Sequence, residues 1–215
     1  DKPALFTAGH GWSYSDTGYI LVGLIIEAVT KRAYFDSITS RFLVPLALKD
    51  TAPADSRYLD RLAAGYLGPD NPFRLPVKTL DAKGHLQWHP AVEWTGGGMV
   101  STSRDLARWG AALFSGEAMA GDYISELLRA VPVDTNLTDV KYGAGVAIHS
   151  NGRFGPVFGH AGWIPGYISS LRHYPEYGVT IAFQINTDIG IVDSDDDVLK
   201  SIENRLIHVF IEKNS

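Results

Sequence analysis

Two short stretches carry side chains suited to moving protons. Tyr14-Ser15-Asp16 sets a phenol, a hydroxyl and a carboxylate side by side, just before the apolar run from Tyr19 to Val29. A phenol can take or give a proton, whereas an ionised carboxylate only accepts hydrogen bonds. At the mouth of a buried helix such groups are fixed by packing rather than by a loose loop. Gly159-His160-Ala161-Gly162-Trp163 sets a histidine among small residues on a predicted strand. Small neighbours let a substrate backbone approach a strand closely. Each stretch also has an ordinary structural reading: Tyr-Ser-Asp is a common helix start, and a single strand histidine is commonly a satisfied structural residue.

Other patterns carry less. Asp193-Ser194-Asp195-Asp196-Asp197 begins like a calcium loop, yet Val198 stands where the sharp-turn glycine belongs and Asn204 where the bidentate glutamate belongs. A helix N-terminus is the better reading. His85 and His89 are four apart, but Gly84 and Pro90 argue against a helix and no third ligand is near, so no metal is expected. Asn136-Leu137-Thr138 matches a glycosylation sequon, a pattern short enough to arise by chance. Gly96-Gly97-Gly98 lacks the lysine and hydroxyl of a phosphate loop and reads as a turn.

Composition bounds what these residues can serve. The 215 residues are 45% hydrophobic and 20% charged, with a formal net charge of −5. That is enough apolar material for a core, and no basic cluster offers a grip on nucleic acid phosphates. The longest apolar run, Gly18 to Ile26, falls short of the ~20 residues that span a bilayer. With no cysteine, disulfides, thiolate metal sites and cysteine nucleophiles are excluded. The amino terminus has neither an initiating methionine nor a signal-peptide pattern, which leads us to expect a segment upstream of Asp1.

The elements that must position the two stretches follow from periodicity. Tyr19 to Val29 is apolar all round and predicts a buried helix started by Ser15-Asp16-Thr17. A second helix is predicted over Phe35 to Leu43, stopped by Pro45. From Ala52 to Pro90 prolines break the pattern into long irregular structure. Thr102-Ser103-Arg104-Asp105 reads as a capping box for a helix from Ser103 to Phe114, and another helix is predicted over Asp122 to Val131. Strands follow over Tyr142 to Ile148, Val157 to Gly162, Tyr167 to Tyr174 and Val179 to Asn186. A last helix, with Val198, Leu199, Ile202, Leu206, Val209 and Phe210 on one stripe, should pack on the sheet. Helices, then antiparallel strands, then a closing helix make an α+β chain, mainly helix and loop over 1–135 and sheet plus helix over 136–215.

Taken in order, Tyr14-Ser15-Asp16 with its helix, Thr95-Gly96-Gly97-Gly98-Met99-Val100-Ser101-Thr102-Ser103-Arg104-Asp105-Leu106, and Gly159-His160-Ala161-Gly162-Trp163-Ile164-Pro165-Gly166-Tyr167 resemble the serine β-lactamase and penicillin-binding-protein-like hydrolases. The resemblance is to the branch of class C β-lactamases, D-alanyl-D-alanine carboxypeptidases and esterases, and runs from about His10 to Phe210. That superfamily uses a Ser-x-x-Lys, a Tyr-x-Asn or Ser-x-Asn, and a Lys-Thr-Gly or His-x-Gly strand. The second matches Tyr14 to Asp16 and the third His160 to Gly162. No serine here has lysine three residues later, so the resemblance implies a nucleophile segment upstream of Asp1.

The resemblance implies acyl transfer to a serine on that segment, acting on a small ester, amide or peptide. Tyr14 would be the base or part of it, which requires cationic neighbours to favour its phenolate. His160 would bond substrate or Tyr14, Gly162 would keep the strand clear, and the Trp163 N–H would be the strand's half of the oxyanion hole. Ser15, Asp16 and Ala161 complete the substrate-binding set. Asp16 stands where asparagine is more familiar, so it cannot donate to an acyl-amide carbonyl, though it could pair with the upstream lysine. His160 in place of lysine removes a permanent charge, which leans toward esterase, amidase or peptidase chemistry over β-lactam hydrolysis. No cofactor or metal is implied, and an extracytoplasmic location is. The upstream fragment or a second copy of the chain would be its partner, and the chain alone would be inactive. The alternative is an inactive relative that keeps the fold for binding or assembly. A nucleophilic Ser13 or Ser15 lacks a Gly-x-Ser-x-Gly elbow and ranks last.

Overall fold

In a computed structural model, which describes residues 3–134, 137–192, 194 and 197–214, the first helix starts at the tyrosine stretch. Helix α1 spans Asp16–Thr30, and the Ser15 hydroxyl caps it by accepting from the Gly18 N–H at 3.1 Å. Tyr34–Ile38 forms α2 and continues as a π-helical turn over Thr39–Leu43, matching the predicted second helix. The two-residue strand β1, Ala52–Pro53, precedes a one-turn helix α3 at Trp94–Gly97 and pairs with β2, Met99–Val100. Between them lies irregular chain held by isolated bridges such as Tyr58 to His85 and Leu80 to Leu86.

Helix α4, Ser103–Ser115, is capped as predicted by the Thr102 hydroxyl, which accepts from Asp105 N–H at 3.2 Å. The reciprocal half of the capping box is spent elsewhere: buried Asp105 accepts from the Asp50 N–H at 2.8 Å and from the Thr51 hydroxyl at 3.3 Å. The carboxylate thus ties α4 to the chain that follows α2. The helix predicted over Asp122 to Val131 is reduced to a single turn, α5 at Ile124–Leu127, because Ala144 N–H takes the Leu127 carbonyl and Pro132 turns Val131 into a strand.

Six antiparallel strands follow in sequence order: β3 Val131–Asp134, β4 Leu137–Tyr142, β5 Ala147–Gly152, β6 Gly155–Ile164, β7 Tyr167–Tyr174 and β8 Val179–Ile185. The predicted strand Tyr142 to Ile148 is divided in two. A turn closed by Gly143 N–H on the Val146 carbonyl at 2.8 Å, with Gly145 at φ +77, separates β4 from β5. Helix α6, Val198–Asn214, closes the chain, with the Asp197 carboxylate accepting from Lys200 N–H at 2.9 Å. The calcium-like run therefore ends as a helix cap; its Asp193, Asp195 and Asp196 lie outside the described residues, as does Asn136 of the sequon.

The sheet is covered on both faces. On one, Gly110 of α4 lies so close to Leu171 and Thr180 that a Cβ there would meet their side chains at 2.6 and 2.9 Å. On the other, buried Glu203 of α6 accepts from buried Ser170 at 2.5 Å and pairs with the partly buried Arg172 at 3.0 Å. Beside them Ile207 is fully buried. That pair turns α6 so that Glu203 and Ile207, one turn apart, face the sheet, while Leu206 and Val209 of the predicted stripe stay exposed.

Helix α1 departs further from expectation. Of its residues only Gly23 is buried, and Leu21, Val22, Leu24, Ile25 and Val29 are 49–76% exposed. The helix packs chiefly against α3, less against α2, and its Tyr19 reaches the turn between β4 and β5. Its all-round apolar sequence is thus satisfied on one flank and uncovered on the others.

Candidate active site

Tyr14, just before α1, and His160, on β6, meet. Their ring centroids are 5.9 Å apart. Two elements make this happen. The Thr-Gly-Gly-Gly stretch locks the start of α1: Thr95 Oγ1 donates to the Tyr19 carbonyl at 2.8 Å, and a Cβ on Gly23 would stand 2.3 Å from the Thr95 methyl. Gly96 leaves room beside Asp16, whose Oδ1 would be 3.7 Å from a Cβ there. Of the three glycines Gly98 is the constrained one, since a Cβ there would sit 2.5 Å from the Trp94 carbonyl oxygen of its own turn.

The second element is the register of β6 on β7, which pairs His160 with Leu171, Gly162 with Ser169 and Trp163 with Ile168. Leu171 faces α4, so His160 and Gly162 lie on the α4 side, and Ala161 and Trp163 lie on the α6 side with Ser170 and Ile168. The structure gives the small residues a use that sequence reading assigned to substrate. Gly159 has φ +156, and a Cβ there would sit 1.9 Å from the Leu171 carbonyl oxygen. On Gly162 it would sit 2.4 Å from the Ser169 hydroxyl.

Gly159 therefore sets where His160 stands. Gly159→Ala in the full-length protein is expected to cost about 3 kcal/mol from overpacking and backbone strain, a fall of roughly 10 °C in Tm. A Cβ added to Gly68 would meet nothing within 4 Å, and Gly68→Ala should move Tm by no more than about 2 °C. Thermal denaturation of the two variants checks this, and equal shifts would remove Gly159 from the argument.

Around the Tyr14 and His160 pair stands an aromatic box that the sequence did not announce. Tyr142 donates or accepts at 2.8 Å with His160 Nε2, with its ring edge-on to both His160 and Tyr14. Trp12 packs on Tyr142 at 5.2 Å, and Tyr19 of α1 stands near it. The other ring nitrogen of His160, Nδ1, faces the Ala161 carbonyl. Burial, then the Asp16 carboxylate, raises the pKa of Tyr14. Burial and the neighbouring Tyr19 raise that of Tyr142. The charged groups acting on Tyr14, Asp16 and Glu93, are both anionic. The cationic help a phenolate needs is thus not among them.

The remaining candidates are placed as follows. The Ser15 hydroxyl is the α1 cap. Asp16 adjoins Tyr14 and Gly96. The Trp163 indole N–H donates to Asp188 Oδ2 at 3.2 Å and its ring rests 5.7 Å from Phe73, at the edge of the site rather than beside Tyr14. Asp188 also accepts from Gly166 N–H at 3.0 Å, which fixes the turn that joins β6 to β7. The Tyr167 phenol then clasps the irregular chain to that turn, donating to the Ala63 carbonyl at 2.8 Å and accepting from Gly65 N–H at 3.0 Å. Among the described residues no group of three or more His, Asp or Glu could hold a metal. His85 pairs with Asp81 and His89 caps a short 3₁₀ turn.

Comparison with known proteins identifies the family and the fold. A family model described as Beta-lactamase matches residues 1–202. Penicillin-binding protein 4* of Bacillus subtilis (strain 168) is 25% identical over 208 residues, covering 94% of this chain and 45% of that protein. A D-stereospecific amidohydrolase from Streptomyces sp. superposes with a TM-score of 0.74 at 29% identity, over 85% of this chain and 52% of that one. The D-amino acid amidase of Ochrobactrum anthropi SV3, complexed with L-phenylalanine, gives a TM-score of 0.76 at 28% identity, over 96% and 61%. The chain spans about half the length of the relatives it matches. With the two motif stretches converging on a shared fold, the chain belongs to the Beta-lactamase family.

Proposed function

We propose that this chain supplies the tyrosine and histidine half of a serine acyl-transfer site, and that the nucleophilic serine and its lysine stand on a segment upstream of Asp1. The observation that carries this is the meeting of Tyr14 with His160. In the complete site the serine hydroxyl attacks the acyl carbon while Tyr14 takes its proton. The leaving amine or alcohol receives that proton, and water then releases the acyl group by the same route in reverse. The Trp163 N–H contributes to holding the oxyanion. The lysine, as a cation beside Tyr14, offsets the Asp16 and Glu93 charges that otherwise hold the phenol neutral.

Those same two carboxylates favour one substrate class. A substrate that carries an ammonium near its acyl carbon is attracted to them, and one that carries a carboxylate is repelled. An amino acid amide has the first property, in keeping with the neighbours named D-amino acid amidase and D-stereospecific amidohydrolase. The full-length protein is expected to hydrolyse D-amino acid amides and simple esters faster than it is acylated by penicillin-type substrates. Asp16→Asn should raise penicillin acylation relative to ester hydrolysis by roughly tenfold, since the amide both donates and carries no charge. Acylation and hydrolysis rates of the two proteins on the three substrates decide it. An unchanged ratio takes Asp16 out of substrate selection, and no turnover of any ester or amide removes the reading itself.

A second reading has its own observation. The uncovered apolar residues of α1 and the edge position of β8 suit an assembly surface. In that reading the chain is an inactive relative that binds a partner. In the first, the same surface receives the upstream segment or, in its absence, a second copy.

A further inference from the structure

We propose that Tyr142 is the positioning residue of His160: its phenol O–H donates to Nε2 and so holds the imidazole in one orientation and in the tautomer protonated at Nδ1. The proposal rests on the reading that His160 belongs to an acyl-transfer site, but the hydrogen-bond argument stands on geometry alone. The Ala161 carbonyl facing Nδ1 can only accept, so Nδ1 must carry the hydrogen. A neutral imidazole has one N–H, which leaves Nε2 as a lone pair. The atom 2.8 Å from it, the Tyr142 oxygen, must then be the donor.

Tyr142 is suited to give that bond continuously. Burial and the neighbouring Tyr19, Tyr14 and Asp16 all oppose its ionisation, so its hydrogen stays in place. Its ring is held against Trp12 on β4's side of the site. The sheet delivers it: Tyr142 pairs with Ala147, and Ala147 pairs with Gly159, one residue from His160. The turn at Gly145 presents no side chain toward Tyr19, whose hydroxyl would be 3.4 Å from a Cβ there. Tyr19 of α1, the helix that follows Tyr14, lies close enough to oppose ionisation of Tyr142. The Tyr142 to His160 hydrogen bond thus joins β4 to β6 and sets the imidazole ring beside Tyr14.

The test uses the full-length protein with ¹⁵N-labelled histidine. Of the seven histidines, His160 is identified by the resonances missing in His160→Gln. The expected spectrum shows Nδ1 protonated and Nε2 unprotonated in the wild type, with the Nε2 resonance shifted in Tyr142→Phe, where the hydrogen bond to its lone pair is lost. Tyr142→Phe keeps the ring and its packing, and it should lower kcat by about tenfold with KM within about twofold. A wild-type His160 protonated at Nε2, a spectrum unmoved by Tyr142→Phe, or a moved spectrum with kcat unchanged would each overturn the proposal. The spectrum is read without turnover, so a protein that hydrolyses nothing would defeat the acyl-transfer reading while the tautomer assignment is still judged.

Discussion

Tyr14→Phe in the full-length protein is expected to lower kcat by roughly 10²–10⁴-fold with little change in KM, the loss that follows removal of a proton-transfer group. The substitution removes one oxygen and keeps the ring that packs against His160 and Tyr142, so fold and substrate binding should persist. The pH dependence follows from the charges around the phenol. Burial and Asp16 raise the Tyr14 pKa, so the phenolate fraction grows as pH rises toward that value. Acylation should accordingly accelerate with pH on the alkaline side in the wild type, and this rise should vanish in Tyr14→Phe. Asp16→Asn removes one of the raising charges and should shift the rise to lower pH. Steady-state kinetics across pH check all three statements. Turnover of Tyr14→Phe within about twofold of wild type would exclude Tyr14 as the base.

The isolated 215-residue chain is expected not to persist as a stable monomer. Five large apolar side chains of α1, from Leu21 to Val29, stand about half exposed or more, and Leu206 and Val209 of α6 add to them. Burying one such side chain is worth roughly 1.5–3 kcal/mol, so a surface of this kind outweighs the cost of association. Native mass spectrometry should find a dimer or larger, or a complex with the amino-terminal fragment when both are produced together. Leu21 and Ile25 lie one turn apart on α1, and Leu21→Glu with Ile25→Glu should release the monomer. A clean monomer of the unmodified chain would contradict the expectation.

Legibility differed along the chain for physical reasons. Helix α4 and strands β7 and β8 were readable because local signals agree: a capping hydroxyl at Thr102, a four-residue turn at Pro175 to Gly178, strict alternation from Val179 to Ile185. The existence of α1 was equally plain. Its exposure was not, since an apolar pattern states what a helix would bury and not what stands beside it. The strand from Tyr142 and the helix from Asp122 were overextended because Gly145 and the Ala144 bond to Leu127 act through the turn that joins β4 to β5. The site shows the same limit. Tyr14, Asp16 and His160 sit in recognisable short motifs, whereas Tyr142, Trp12 and Tyr19 enter only through sheet register and the approach of α1. Gly159 and Gly162 could be read as small residues on a strand; that the β7 backbone requires the first and the Ser169 hydroxyl lies against the second needed the pairing itself.

The central claim is that this chain holds half of a serine acyl-transfer site and that the serine itself stands upstream. Labelling with a fluorophosphonate, followed by peptide mapping, tests it most directly when applied both to the full-length protein and to residues 1–215 alone. The account predicts one labelled serine in the full-length protein, upstream of Asp1 and followed three residues later by lysine, with labelling slowed in Tyr14→Phe and absent from the isolated chain. A covalent adduct on Ser13, Ser15 or any other serine within residues 1–215 would contradict it.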